Sequence, residues 1–98
     1  MIQNFKDKET EDIYNGRRTK QALKRLPGHL WNAVYRKFYF LDNAISLNDL
    51  KSPPGNRLET LKGNRKGEFS IRINDQYRIC FHWISSGPEF VEIIDYHK

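Results

Sequence analysis

The rhythm of apolar and polar positions changes about halfway along the chain. In the first half it is helical. Leu30, Val34, Phe38, Leu41 and Ile45 recur at spacings of three and four, so "HLWNAVYRKFYFLDNA" predicts the main helix. Trp31 and Tyr35 broaden that apolar stripe, and Arg36 and Lys37 lie off it. Upstream, "DKETEDIYNG" reads as a short helix, acidic at its start and stopped by Gly16. The basic stretch "GRRTKQALKRLPG" turns helical from Gln21 to Leu26 before Pro27-Gly28 ends it. "MIQNF" is expected to form a short first strand through Ile2 and Phe5, and "SLNDLKSPPGN" a helical turn closed by Pro53-Pro54-Gly55.

The second half reads as strands. "RLETLKG" predicts a strand ending at Gly63, followed by the basic turn "NRKG". "EFSIRI" and "YRICFHWI" alternate cleanly, and "FVEIIDYH" is mostly β-branched. The coarse order is βααβββ with an extra helical turn and no internal repeat. Helices layered on one face of a small antiparallel sheet, an α+β fold, is the architecture such a pattern predicts.

Burial of one face also predicts the hairpin register. Phe69, Ile71 and Ile73 share a face, as do Tyr77, Ile79, Phe81 and Trp83 on the partner strand. A two-residue loop would mix apolar with polar faces. A three-residue loop at Asn74-Asp75-Gln76 pairs Ile73 with Tyr77 and Ile71 with Ile79, keeping one side apolar. Arg72 and Arg78 then oppose each other on the outer face, a destabilising pairing of like charges. A bound phosphate would relieve it, as would splaying into solvent or pairing with Glu92 on the neighbouring strand.

Composition narrows the class. At 98 residues, 38% of them hydrophobic, the chain is expected to form one domain with one core, residues 1–98. Seventeen Lys and Arg against twelve Asp and Glu give a net charge of +5, which suits a polyanionic partner or serves solubility. No apolar run reaches membrane length and the N-terminus lacks an apolar signal core, so a cytoplasmic, soluble protein without membrane association is expected. Cys80 is the only cysteine, which excludes an intramolecular disulfide. Its strand context predicts a buried apolar role.

The three histidines, His29, His82 and His97, show no metal-site spacing, and phosphate-loop and nucleophile-elbow motifs are absent, so neither a metal nor another cofactor is expected. What remains is a basic sheet face whose last strand ends in Asp95-Tyr96-His97. RNA cleavage without a metal needs few parts: a base for the 2′-hydroxyl, cations for the crowded phosphorus centre and an acid for the departing 5′-oxygen. Histidine suits proton transfer near neutrality, and arginine's fork suits phosphate. His97 is the candidate proton carrier. Lys62, Arg65, Arg72 and Arg78 can supply cations, Arg65 and Arg72 with Arg57 and Lys66 are candidate RNA contacts, and Tyr96 can stack on a base or position the phosphate. From spacing alone, the favoured reading of Asp95 and His97 is a hydrogen-bonded cap on the strand.

The blocks "PPGNRLETLKG", "SIRINDQYRICF" and "EIIDYH", in that order, resemble the HigB toxins of the RelE superfamily, and the resemblance spans essentially the whole chain. It implies a RelE-like fold and a toxin that cuts messenger RNA occupying the ribosomal A site. It also implies a HigA-like helix-turn-helix antitoxin, through which the toxin reaches operator DNA. Lys62, Arg78, Asp95, Tyr96 and His97 match positions associated in the family with catalysis or RNA contact. Some members carry a histidine three residues before the lysine of "LKG", where this chain has Glu59. Either Glu59 takes over as the base or catalysis leans on His97. That departure keeps a second reading alive: a catalytically weak protein that acts by binding its antitoxin. A standalone RNA-binding domain fits less well, because the aromatics mostly take core-facing positions.

Overall fold

The computed structural model describes residues 1–96. Three helices precede the sheet: α1 (Lys8–Tyr14), α2 (Lys20–Arg25) and α3 (Trp31–Asn43). Asp7 caps α1 by accepting a hydrogen bond from the Thr10 amide, and Gly16 ends it with a φ of 75° that favours glycine. Thr19 caps α2 through the Ala22 amide. A 3₁₀ turn at Gly28–Leu30 leads into α3, whose Trp31, Val34, Phe38 and Leu41 are buried as the stripe predicts. Ile45 is the exception. The helix stops at Asn43, and Ile45 lies beyond its last turn with 90% of its surface exposed.

Four strands follow, β1 (Glu59–Thr60), β2 (Phe69–Arg72), β3 (Tyr77–Ile84) and β4 (Gly87–Asp95), forming an antiparallel meander in that order. The α+β fold is as expected, with two local corrections. "MIQNF" is not a strand of its own. It runs parallel to β4 through one bridge, Phe5 to Val91, with backbone bonds from Gln3 to Pro88 and from Lys6 to Val91. "RLETLKG" pairs only at Glu59 and Thr60, because the chain turns away into a 3₁₀ turn at Gly63–Arg65.

The hairpin has the predicted register, with Ile71 opposite Ile79 and Arg72 opposite Arg78, and the Ile73 amide bonding to the Tyr77 carbonyl. Asn74 shapes the loop by accepting from the Gln76 and Tyr77 amides. Ile71, Ile73, Tyr77, Ile79, Phe81, Val91 and Ile93 form the sheet's contribution to the core beneath the helices. Between β3 and β4 the pairing jumps from Cys80–Glu92 to His82–Glu89, so Phe90 and Val91 together face Phe81, and Phe90 takes a φ of 51°.

Candidate active site

On the face of the sheet turned away from the core, alternation places Ser70, Arg72, Arg78, Cys80, Glu92 and Tyr96. This face is less wet than its polarity suggests. Ser70 and Cys80 are fully buried and Arg78 nearly so, because the segment before β2 folds across it. Arg65 reaches from that segment to Glu68 at 2.9 Å and to Glu92 at 3.2 Å, and Lys6 lies 3.6 Å from Glu92. Burial pushes the Cys80 thiol up to about 11, with Arg65 opposing the shift. Cys80 is therefore the inert apolar residue its strand context predicts.

Arg78 is the centre of the constellation. Its Nε donates to Ser70 Oγ at 2.8 Å, and its Nη2 donates to the Arg57 carbonyl at 2.6 Å. Glu59 Oε1 lies 3.8 Å from Nη2 on the half-exposed edge strand β1. The Tyr96 ring, 43% exposed, sits under the guanidinium with its centroid 5.5 Å from Cζ. The opposed arginines thus escape each other by separate routes. Arg78 takes these neighbours, and Arg72 pairs with Asp75 in the hairpin loop. Neither turns to Glu92, which Arg65 and Lys6 occupy.

The remaining expected residues divide into groups. Asp95 ends β4 opposite Tyr77 and accepts from Gln76 Nε2 at 3.1 Å, while the Tyr96 amide donates to the Gln76 carbonyl at 2.6 Å. The strand end is therefore tied to the hairpin loop. Lys62, Lys66 and Arg57 carry exposed side chains on the segment that approaches Arg78. Arg65 and Arg72 are held in internal ion pairs. His97, the expected proton carrier, lies outside the described residues. Arg78, Glu59, Tyr96 and the Arg57 backbone are brought together by contacts. Arg65 instead serves the buried cluster around Cys80.

Sequence reasoning missed the supports beneath this group. Ser70 shares a face with Arg78 in the predicted register, so its role was within reach. Arg57 adopts left-handed backbone, φ 45° and ψ 56°, which residue type does not signal. Asn56 beside it is fully buried. Its Nδ2 donates to the Leu50 and Ser52 carbonyls, and its Oδ1 accepts from Lys37 Nζ at 2.7 Å. Burial lowers the Lys37 ammonium from the ordinary lysine value, and the nearby charges of Arg36 and Arg72 lower it further.

The site is an open surface. A depression of about 330 Å³ lies between α2 and β4, walled by Lys24, Arg25, Tyr77 and Asp95 among others, but Arg78 is not in its walls. Among the described residues no group of His, Cys, Asp and Glu is arranged to hold a metal ion, and no helix is long and apolar enough to cross a membrane.

The RelE-like toxin HigB of type II toxin–antitoxin systems matches as a family over residues 3–97. The chain is 42% identical over 98 residues to Toxin HigB-1 of Vibrio cholerae serotype O1, covering 100% of this chain and 99% of the relative. It is 26% identical over 97 residues to Endoribonuclease HigB of Proteus vulgaris, covering 99% and 100%. In fold it is similar to the toxin–antitoxin complex YoeB–YefM of Staphylococcus aureus, with a TM-score of 0.62, 16% identity and coverage of 100% and 99%. The YoeB/ParE toxin of Agrobacterium tumefaciens gives a TM-score of 0.52 at 18% identity, covering 99% and 98%. The chain belongs to the HigB-like family, the RelE-like toxins of type II toxin–antitoxin systems.

Proposed function

We propose that the chain is a metal-independent endoribonuclease that cuts messenger RNA in the A site of the translating ribosome. The observation that carries the reading is the Arg78 guanidinium, fixed on a rigid sheet with a carboxylate, Glu59, and an aromatic ring, Tyr96, beside it. The Proteus vulgaris relative bears the name endoribonuclease, which supports the same chemistry. Arg78 neutralises the phosphate as the 2′-hydroxyl attacks it, Lys62 adds charge to the crowded phosphorus, and Tyr96 stacks on a base or steers the scissile nucleotide. Glu59 is the candidate base, His97 delivers the proton to the 5′-oxygen, and Asp95 steadies the strand end. Arg57 and Lys66 are the wider RNA contacts with exposed side chains, and Arg65 and Arg72 join them only on leaving their carboxylate partners.

As a type II toxin the chain has an antitoxin for a partner. A HigA-like helix-turn-helix protein, the link to operator DNA and a cytoplasmic location complete the reading. Attack by the 2′-hydroxyl leaves a 5′-hydroxyl on one fragment and a 2′,3′-cyclic phosphate on the other. The test is to incubate purified protein with one RNA, free and on translating ribosomes, and to map the ends. Rapid cutting within codons on ribosomes, negligible cutting of free RNA and cyclic-phosphate ends are expected. Ends bearing 5′-phosphate would overturn the mechanism, and equal rates would overturn ribosome dependence.

A second reading rests on Glu59. A carboxylate 3.8 Å from Arg78 competes with a phosphate, which favours a weak enzyme acting chiefly through antitoxin binding. Inducible expression discriminates: growth and translation stop under the first reading and continue under the second.

A further inference from the structure

Resting on the assignment of Arg78 to the scissile phosphate, we propose that Ser70, the left-handed backbone of Arg57 and the Lys37–Asn56 contact form a positioning cradle. The cradle holds the Arg78 guanidinium in one plane for that phosphate.

An arginine head is planar, with donors arrayed along fixed edges, so two acceptors on neighbouring donors set its orientation. Ser70 Oγ on Nε and the Arg57 carbonyl on Nη2 are such a pair, at 2.8 and 2.6 Å. Both acceptors are uncharged, so they orient the head without cancelling the positive charge that a phosphate needs. Serine is fully buried here, on the strand paired with β3, which gives its hydroxyl little freedom to wander.

Arg57 contributes its backbone. A side-chain-bearing residue at positive φ is uncommon, and such conformations persist only where the surroundings impose them. Here the surroundings are visible. The Arg57 amide donates to Pro54, closing a 3₁₀ turn, and the buried Asn56 carboxamide spans Leu50, Ser52 and Lys37. Lys37 stands on α3, so the helical layer reaches Arg78 through an unbroken series: Lys37 to Asn56, the adjoining Arg57 carbonyl, then the guanidinium. A lysine on a core-packed helix thus serves the sheet face through Asn56.

The experiment uses full-length Ser70→Ala, Lys37→Met and Arg78→Ala proteins, and the two double variants carrying Arg78→Ala. Single-turnover cleavage is measured on whichever RNA substrate the unaltered protein cuts. Ser70→Ala is expected to lower the maximal single-turnover rate about tenfold to a hundredfold with the half-saturating concentration little changed, the scale of a misplaced catalytic group. Lys37→Met is expected to act in the same direction and less strongly. In the Arg78→Ala background neither change should reduce the residual rate further, whereas a general loss of folding would reduce it by the same factor. In the unaltered protein the Arg78 Nε–H resonance should exchange slowly with solvent. Rapid exchange there overturns the cradle even if Ser70→Ala fails to fold. Undiminished cleavage by Ser70→Ala beside an inactive Arg78→Ala overturns the cradle and leaves the Arg78 assignment standing. Full activity in Arg78→Ala removes both.

Discussion

Arg78 keeps a positive charge almost out of water by giving its head three neutral oxygens, two of them close, and one carboxylate at longer range. Lysine at this position would retain the charge but lose the fork that meets Ser70 and Arg57 together. Arg78→Lys is expected to slow cleavage about a hundredfold under single-turnover conditions, as for a group displaced from its geometry. A lysine variant as fast as the original would show that charge alone matters. Glu59 offers the converse test. Glu59→His, which installs the histidine that the resemblance to HigB toxins implies for some members, should preserve or raise cleavage, and a collapse would give Glu59 a role that histidine cannot fill. Cys80 is expected to be silent. Its thiol is fully buried and pushed up to about 11 by that burial, so thiol reagents should label it only as the protein unfolds. Labelling of the folded protein at neutral pH would show that the outer face opens.

At the scale of elements, what was legible depended on how local the controlling interaction is. The β2–β3 hairpin register follows from side-chain alternation over a dozen residues, and Arg72 opposite Arg78 came with it. The first segment could not be read this way. Its backbone partners lie on β4, more than eighty residues away, and its anchor is a side chain on α3. Asp42 accepts from the Ile2 amide at 2.9 Å through one oxygen and from the Tyr14 hydroxyl at 2.6 Å through the other. Ile45 misled for a related reason: the spacing continued, but the helix had already stopped at Asn43. Arg57's left-handed backbone is fixed by Asn56 and α3, and neither appears in its own residue type. The fold and the outer-face placement of Arg72 and Arg78 were therefore in the pattern, and the supports beneath Arg78 were not.

The Asp42 junction gives a pH signature at the same scale. The hydrogen bond to Asp42, then burial, then the carboxylate's charge raise the Tyr14 phenol from its ordinary value to about 12. The folded state thus holds this proton more tightly than the unfolded state. Its contribution is fully present below the ordinary phenol value near 10 and is lost as pH rises through about 12. Tyr14→Phe removes the bond and should lower stability by about 1 kcal/mol at neutral pH. That gap between the two proteins, measured by denaturant unfolding, should narrow between pH 10 and 12. A constant gap across the window would mean that folding does not raise the Tyr14 phenol.

Over the whole molecule, the net charge of +5 overstates what RNA meets. Arg17, Arg25, Arg65 and Arg72 are engaged with carboxylates, as are Lys6 and Lys8. Near the site that leaves Arg57, Lys62 and Lys66 with exposed side chains, and Arg78 between its neutral acceptors with the Glu59 carboxylate 3.8 Å away. A footprint of three or four phosphates on single-stranded RNA corresponds to a slope of log affinity on log salt of roughly −2 to −3. Such binding is weak at physiological salt, and an open surface offers little to order a flexible strand. The ribosome can supply that order, because holding the message in line for attack can lower the barrier by roughly 7–11 kcal/mol in favourable cases. Fluorescence titration of free RNA across a salt series is therefore expected to give the shallow slope, alongside cleavage confined to ribosome-bound message. A slope steeper than about −5 would mean a footprint well beyond these four cations. It would require the paired arginines, Arg65 and Arg72 first, to release their carboxylates when RNA arrives.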